Sequence, residues 1–197
     1  MATIGLSRPY YAKYTNTDGT VSYSAGGIIG GAVEFSASIE SGESNDLYAD
    51  NAIAETDRSF GGGKITITTD DLTQESSTAI LGIVTQEITV GEETVTELLY
   101  DDDMQSPNLG FGIIIKKKKN GQDQFRAVIF TKIQFSIPED AATTQGESIE
   151  WQTPTLEAVI MRDDTAKRCW KREATFPNEA QARAYIEQIL NITGGAA

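Results

Sequence analysis

The chain has 197 residues, 39% of them hydrophobic and 23% charged, which suits one sizeable core burying about 70% of the unfolded surface in one domain spanning residues 1–197. A net charge of −13 sets it against nucleic acid and anionic membranes at long range. The absence of histidine removes Ser-His-Asp and Cys-His catalysis and every His-ligated metal site, and a single cysteine, Cys169, leaves no intrachain disulfide and no Cys-rich zinc site.

No run approaches the ~18 apolar residues of a membrane span, and no charged-then-apolar signal pattern opens the chain, so synthesis in the cytosol without an export signal is expected. The charge is uneven. Residues 1–110 hold 4 Lys/Arg against 18 Asp/Glu, and residues 111–197 hold 12 against 11. Such asymmetry fits either exposed carboxylates that keep the protein soluble or head-to-tail contacts between copies.

In chain order, Leu6 to Tyr14 reads as a strand, with Pro9 pointing to a strand start or an edge. Thr17-Asp18-Gly19-Thr20 is a turn, and Val21 to Ser24 its hairpin return. Gly26, Gly27, Gly30 and Gly31 read as a flexible or closely packed loop; no Gly-Lys-Ser/Thr follows to make it a phosphate loop. Val33, Phe35, Ala37 and Ile39 alternate with Glu34, Ser36, Ser38 and Glu40, which predicts a strand with one dry and one acidic face. Asn45 to Phe60 is expected to be extended and loop-like, anchored by Leu47 and Tyr48, and Lys64 to Thr69 is a second alternating strand. Asp70 or Asp71 is a candidate cap for a helix through about Leu81, stopped by Gly82. Ile83 to Tyr100 resumes the β pattern with a turn at Gly91.

Asn120-Gly121 is the preferred pair for a two-residue type I′ turn. That turn sets a register for the hairpin Leu109 to Phe135: Lys119 opposite Gln122, Ile113 opposite Val128, Phe111 opposite Phe130 on one side, and Ile114 opposite Ala127 on the other. With both sides apolar near its base, the hairpin should run through the core and project at its tip.

The next stretch has strand-like ends, Ile133 to Ile137 and Ile149 to Val159, around a polar loop that begins at Pro138. Pro154 argues for an edge, a bulge or a strand end. Last comes a helix from Pro177 to about Asn191, with Ala182, Tyr185, Ile186, Ile189 and Leu190 as its apolar stripe. The residues thus predict a β-rich chain with one short internal helix and a C-terminal helix covering part of a sheet.

The chemistry-bearing clusters are few. Asp101-Asp102-Asp103 lacks the ligand spacing of a known calcium loop and reads as a solvated acidic loop. Lys116, Lys117, Lys118 and Lys119 split between the two faces of a strand. They are either a solvated tip that discourages edge pairing or a tip that meets an acidic surface on another copy. Arg162, Lys167, Arg168, Lys171 and Arg172 flank Cys169 and Trp170; Trp170 closing a core edge beneath cationic stems is preferred to phosphate binding or base stacking. Trp151 reads as core or interface.

Several pieces, in order, resemble the major tail tube proteins of long-tailed bacteriophages with non-contractile tails and of Gram-positive prophages. They are Tyr10-Tyr11-Ala12-Lys13 with Asp18-Gly19-Thr20, Leu47-Tyr48-Ala49-Asp50 followed by Ala54-Glu55, Leu109-Gly110-Phe111-Gly112, the strand end Phe135 to Pro138, and Glu150-Trp151-Gln152-Thr153-Pro154-Thr155-Leu156. They span roughly residues 5–160; residues 161–197 are not covered. The resemblance implies a mainly β, sandwich- or barrel-like fold with a flanking helix, related to the tubes of contractile tails and type VI secretion. It further implies a non-enzymatic virion protein without cofactor or metal, assembled in the host bacterial cytoplasm. Hexameric rings would stack around the tape-measure protein, meet the tail terminator and distal tail proteins at the tube's ends, and later pass genomic DNA as cargo.

On that reading Leu47, Tyr48, Asp50, Lys116, Lys117, Lys118, Lys119, Glu139, Asp140 and Glu147 are candidate contacts between copies. The alternative is a carbohydrate-binding β-sandwich with Trp151, Trp170, Tyr10 and Tyr11 as stacking platforms. An enzyme would have to be a carboxylate hydrolase, the one version that the missing histidines permit.

Overall fold

The computed structural model describes residues 2–42, 45–49, 51–57, 59–140, 144 and 152–192. Twelve strands and two helices follow in the order β1 (Ala2–Thr17), β2 (Thr20–Ile28), β3 (Ala32–Ser41), β4 (Asn45–Ala49), β5 (Ala52–Asp57), β6 (Phe60–Thr69), α1 (Gln74–Leu81), β7 (Val84–Val90), β8 (Glu93–Leu99), β9 (Leu109–Lys119), β10 (Gln122–Phe135), β11 (Thr155–Met161), β12 (Lys171–Phe176) and α2 (Glu179–Ile189). The fold is mainly β, as expected.

The β9–β10 hairpin organises it. Asn120 and Gly121 both take positive φ, 51° and 80°, as a type I′ turn requires. The register is the one that the turn predicts: Lys119 opposite Gln122, Ile114 opposite Ala127, Ile113 opposite Val128 and Phe111 opposite Phe130. Around this hairpin an antiparallel sheet forms in the order β2-β1-β9-β10-β11-β6-β3, with β12 also pairing β10.

The long strand β10 changes lateral partner part-way along. Phe125 to Phe130 pair with β12, whereas Lys132 to Phe135 pair with β11, and the β9 register shifts between Phe130 and Ile133. At that shift the sheet divides. β12 stays under α2, while β11, β6 and β3 curl across, so that Phe35 of β3 meets Phe111 and Phe130 at ring-centroid distances of 6.1 and 6.4 Å.

Two cores follow from the two faces of β9 and β10. Phe111, Ile113, Val128 and Phe130 face Ile65, Ile67, Leu156 and Ile160 inside the curl, closed at one end by Ile80 and Leu81 of α1. Each such fully buried side chain contributes about 1.5–3 kcal/mol relative to exposure. The alternate residues Ile114, Ala127 and Ile129, with Tyr10 and Ala12, lie under Ala182, Ile186 and Leu190 of α2. The apolar stripe read from the sequence is the face that α2 buries.

Local expectations are corrected at several points. Pro9, by contrast, meets its expectation of an edge: the β2 pairing of β1 begins at Tyr10, so among the described residues the stretch before it pairs with β9 alone. Pro9 also sits at the β1–β9 register shift between Ser7 and Tyr10, where its missing N–H costs no ladder bond. Gly26 and Gly27 belong to β2, not to a loop, and Gly27 lies against the Tyr11 ring. Asn45 to Asp57 is a hairpin, β4–β5, instead of an extended loop. The cap of α1 is Thr73, whose Oγ1 accepts from the Ser76 N–H, because Asp70 is engaged with the Gly31 N–H and Asp71 with the Leu72 N–H. β10 ends at Phe135, leaving Ile137 exposed, and β11 begins after Pro154 at Thr155. Ile149 and Trp151 lie outside the described residues.

Likewise α2 starts two residues later than Pro177 suggests, at Glu179, because Asn178 caps it by accepting from the Gln181 N–H at 2.9 Å. Asn178→Ala is expected to cost about 1 kcal/mol, read as a fall of roughly 2–4 °C in melting temperature.

Candidate self-association surfaces

Strands β2 and β3 end the sheet path, and among the described residues no strand pairs with their outer edges. The exposed N–H and C=O groups of such edges are templates for another chain. β3 is the barer of the two. Its expected dry face is largely uncovered: Phe35 is half-buried, but Ile39 is 40% exposed, and Val33, at the register shift between Ala32 and Glu34, is 56% exposed. The reason is position, since among the described residues β3 is hydrogen-bonded to a strand on one side only, β6, although part of it also lies close to β1.

The opposite face of β3, β6 and β11 is polar. Thr68 and Thr155 share a hydrogen bond of 3.1 Å, and Lys64 pairs with Glu157 at 3.2 Å, both exposed. Glu34, Ser36, Ser38 and Glu40 extend this face along β3. The helix α2 covers the outer side of β1, β9 and β10 and leaves this one open.

Among the predicted contact residues, the four lysines sit at the turn end of the β9–β10 hairpin, but it is no free projection: Lys116, Lys117 and Lys118 pair with Gly5, Thr3 and Ala2 of β1. Lys116 is engaged within the hairpin, 2.7 Å from Asp123 and over the Phe125 ring. That pairing holds the Asp123 carboxyl below its usual range. Lys118 and Lys119 are exposed, and among the described residues no ion pair engages Lys117, Lys118 or Lys119. Glu139 and Asp140 are exposed just past Pro138. Leu47 and Tyr48 fall in β4, whose register is described but whose side chains at those positions are not; Asp50 and Glu147 lie outside the described residues.

The second basic segment is dispersed. The Arg162 guanidinium lies over the Phe60 ring and donates to the Phe60 carbonyl, and Trp170 stacks on the same Phe60 ring at 4.6 Å and 9°. Trp170 thus closes a core edge, as read from the sequence. Tyr10 and Tyr11, 0% and 7% exposed, are core residues and offer no flat surface to a sugar. The loop from Asp163 to Cys169 is held by Thr165, which donates to Asp163 through both N–H and Oγ1, and by the Asp163 N–H to Cys169 carbonyl bond. It borders a cavity of about 640 Å³ shared with β2 and the end of α2. Tyr14 donates to Asp164 at 2.7 Å, and burial together with that carboxylate pushes the phenol up to about 12. Burial raises Tyr23 further, and its hydroxyl donates to the Thr131 carbonyl. These are bonds that pin a loop; both phenols stay neutral across physiological pH and act as donors.

Arg126 and Lys171 converge on Glu173 and hold its carboxyl down to about 2 from an ordinary 4.5. A depressed carboxyl stabilises the fold fully above its unfolded value and loses that contribution as pH falls toward its folded one. Glu173→Gln should therefore flatten the fall in melting temperature between pH 4.5 and 2, as followed by thermal unfolding. At neutral pH the loss should be under about 1 kcal/mol, because the carboxylate is nearly half exposed.

Among the described residues no group of three or more Asp, Glu or Cys side chains is placed to hold a metal ion, and Asp101 to Asp103 form an exposed turn in which the Asp103 N–H donates to Asp101. No described helix is long and apolar enough to cross a membrane. No known family model matches the chain, and no curated protein matches it.

Proposed function

We propose that this chain is a structural subunit that joins copies of itself edge to edge into rings, which stack into the tail tube of a long-tailed, non-contractile bacteriophage. The observation that carries the reading is the curled sheet in which, among the described residues, no strand hydrogen-bonds to the outer edges of β2 and β3, with exposed Val33 and Ile39 along the ten residues of β3. An edge pairing of β3 on β2 of the next copy is heterologous, so repeated rotation closes a ring. The ordered resemblance of residues 5–160 to tail tube proteins supplies the hexamer, the tape-measure protein within, and the terminator and distal tail proteins at the ends.

The polar face of β3, β6 and β11 supports the same reading. A tube wall that passes DNA must not hold it, and a surface of Ser, Thr and Glu with its Lys64 neutralised by Glu157 offers few fixed phosphate contacts. The test is negative-stain microscopy of purified protein at high concentration. Rings or tubes about 100 Å wide, the size expected from packing domains of this length in a ring, are the supporting result. A protein that stays monomeric and binds a glycan array overturns the proposal in favour of the carbohydrate-binding alternative.

A further inference from the structure

The hairpin β7–β8 belongs to neither core beyond its base. Among the described residues its two strands pair only with each other, and residues 89 to 96 are all exposed. The register places Ile88 opposite Val95, Gln86 opposite Glu97 and Val90 opposite Glu93, so these side chains share one face. The 2.7 Å bond from Gln86 to Glu97 marks that face, and Thr89 bonded to Thr94 marks the other. On the first face Val84, Val90 and Val95 are 52%, 64% and 44% exposed, with Glu93 and Glu97 at its margin. A two-stranded hairpin is marginal by itself in water, and one with a bare apolar face gains by covering it.

Charge selects the occupant. From residue 65 to residue 115 the chain has ten acidic residues and no basic one, and although Lys13 of β1 lies by the arm's base, the arm itself attracts a cation-bearing surface. This chain owns one: Lys117, Lys118 and Lys119, without ion pairs among the described residues. In the other basic segment Arg162 is engaged with Phe60 and Lys171 with Glu173, and the exposed Lys167, Arg168 and Arg172 border the cavity loop and β12 instead of forming a strand tip. Beside the lysines, Ile4 is 50% exposed on the end of β1 that pairs Thr3 with Lys117. With the lysine stems it supplies apolar surface to set against the valines.

Position makes the contact intermolecular. The arm springs from Gly82, which packs on Gln105 and Pro107 just ahead of Leu109, where β9 begins. The lysines are at the far end of the same strand, about 33 Å away for ten steps of strand. One end of the molecule is an acidic, apolar-faced arm and the other is a basic tip.

We infer that the β7–β8 arm of one copy receives the lysine tip of the next, a head-to-tail junction that repeats along the stack. The inference rests on the self-association reading above and names the surfaces that join ring to ring. A charge exchange tests it. A tip variant, Lys117→Glu, Lys118→Glu and Lys119→Glu, and an arm variant, Glu92→Lys, Glu93→Lys and Glu97→Lys, are compared by sedimentation alone and as an equal mixture. Each alone should need about tenfold more protein to stack, since several rim charge pairs change sign together. The mixture should return to within about twofold of wild type, because both of its alternating junctions again join opposite charges. Rescue by mixing cannot come from misfolded chains. Variants that stack like wild type, or a mixture no better than its parts, overturn the inference. Microscopy separates the two proposals. Rings and tubes indifferent to the exchange overturn this junction alone; charge-dependent strings that never close into rings overturn the tube alone.

Discussion

Replacing Gly112 with valine should unseat α2 and cost about 3 kcal/mol, the upper part of the range for overpacking a well-filled core. A Cβ at Gly112 would stand 2.6 Å from Ile186 Cγ2, and one at Gly110 2.6 Å from Leu190 Cδ2 and from the Tyr23 ring. The two glycines form a trough in β9 into which the helix settles, so the backbone itself is the packing surface there. Thermal unfolding followed by circular dichroism should show the midpoint lowered by roughly 6–12 °C for a chain of this size. Adding Ile186→Ala to Gly112→Val should cost less than the two separate losses together, because the smaller side chain vacates the space that the valine enters. A midpoint within 2 °C of wild type would mean that α2 does not rest on this trough. Exposed Ile114, Ala127 and Ile129 should also make the variant precipitate, since α2 is what covers that face.

The glycine trough also shows what the sequence made legible. Asn120-Gly121 fixes a turn, the turn fixes a register, and the register assigns each side chain of β9 and β10 to a face; every step is local and was readable. The apolar stripe of α2 was readable for the same reason. That Gly110 and Gly112 lie under that stripe was not, because nothing local says which helix crosses which face. Asp70 fails as a helix cap on the same ground: its carboxylate is taken by Gly31, 39 residues away, and only the folded sheet brings them together. Pro9 is legible as the place where the β2 side of β1 becomes an edge; the β1–β9 register shift beside it is not, because alternation along β1 carries no mark of a bulge.

The surfaces divide in the same way. The lysine cluster is placed at a tip by its neighbouring turn alone. The bare edge of β3 and the isolation of β7–β8 are facts about which strands lack neighbours, and strand order is a non-local property. The sequence pattern of β3 promised a buried face; the fold leaves it half covered. Alternation says that one side of a strand is apolar, and another chain can supply the cover as well as this one can.

That last point yields the prediction with the largest effect on assembly. Val33→Lys with Ile39→Lys should abolish rings while leaving the subunit folded. Both side chains are more than a third exposed, so their replacement should change subunit stability by no more than about 0.5 kcal/mol each. Lysine on an edge strand is a recurrent block to pairing, because a second strand would have to bury the ammonium groups. Size-exclusion chromatography and negative stain at a concentration where wild type forms rings should show the variant as a monomer with a midpoint of unfolding little changed. Glu34→Gln is the matched control. It lies on the same strand but on the polar face, and edge pairing does not use that face, so rings should persist. If β3 joins the neighbouring copy, the first variant fails to assemble and the second assembles; rings from both would place the junction elsewhere and leave the exposed apolar side of β3 without this role.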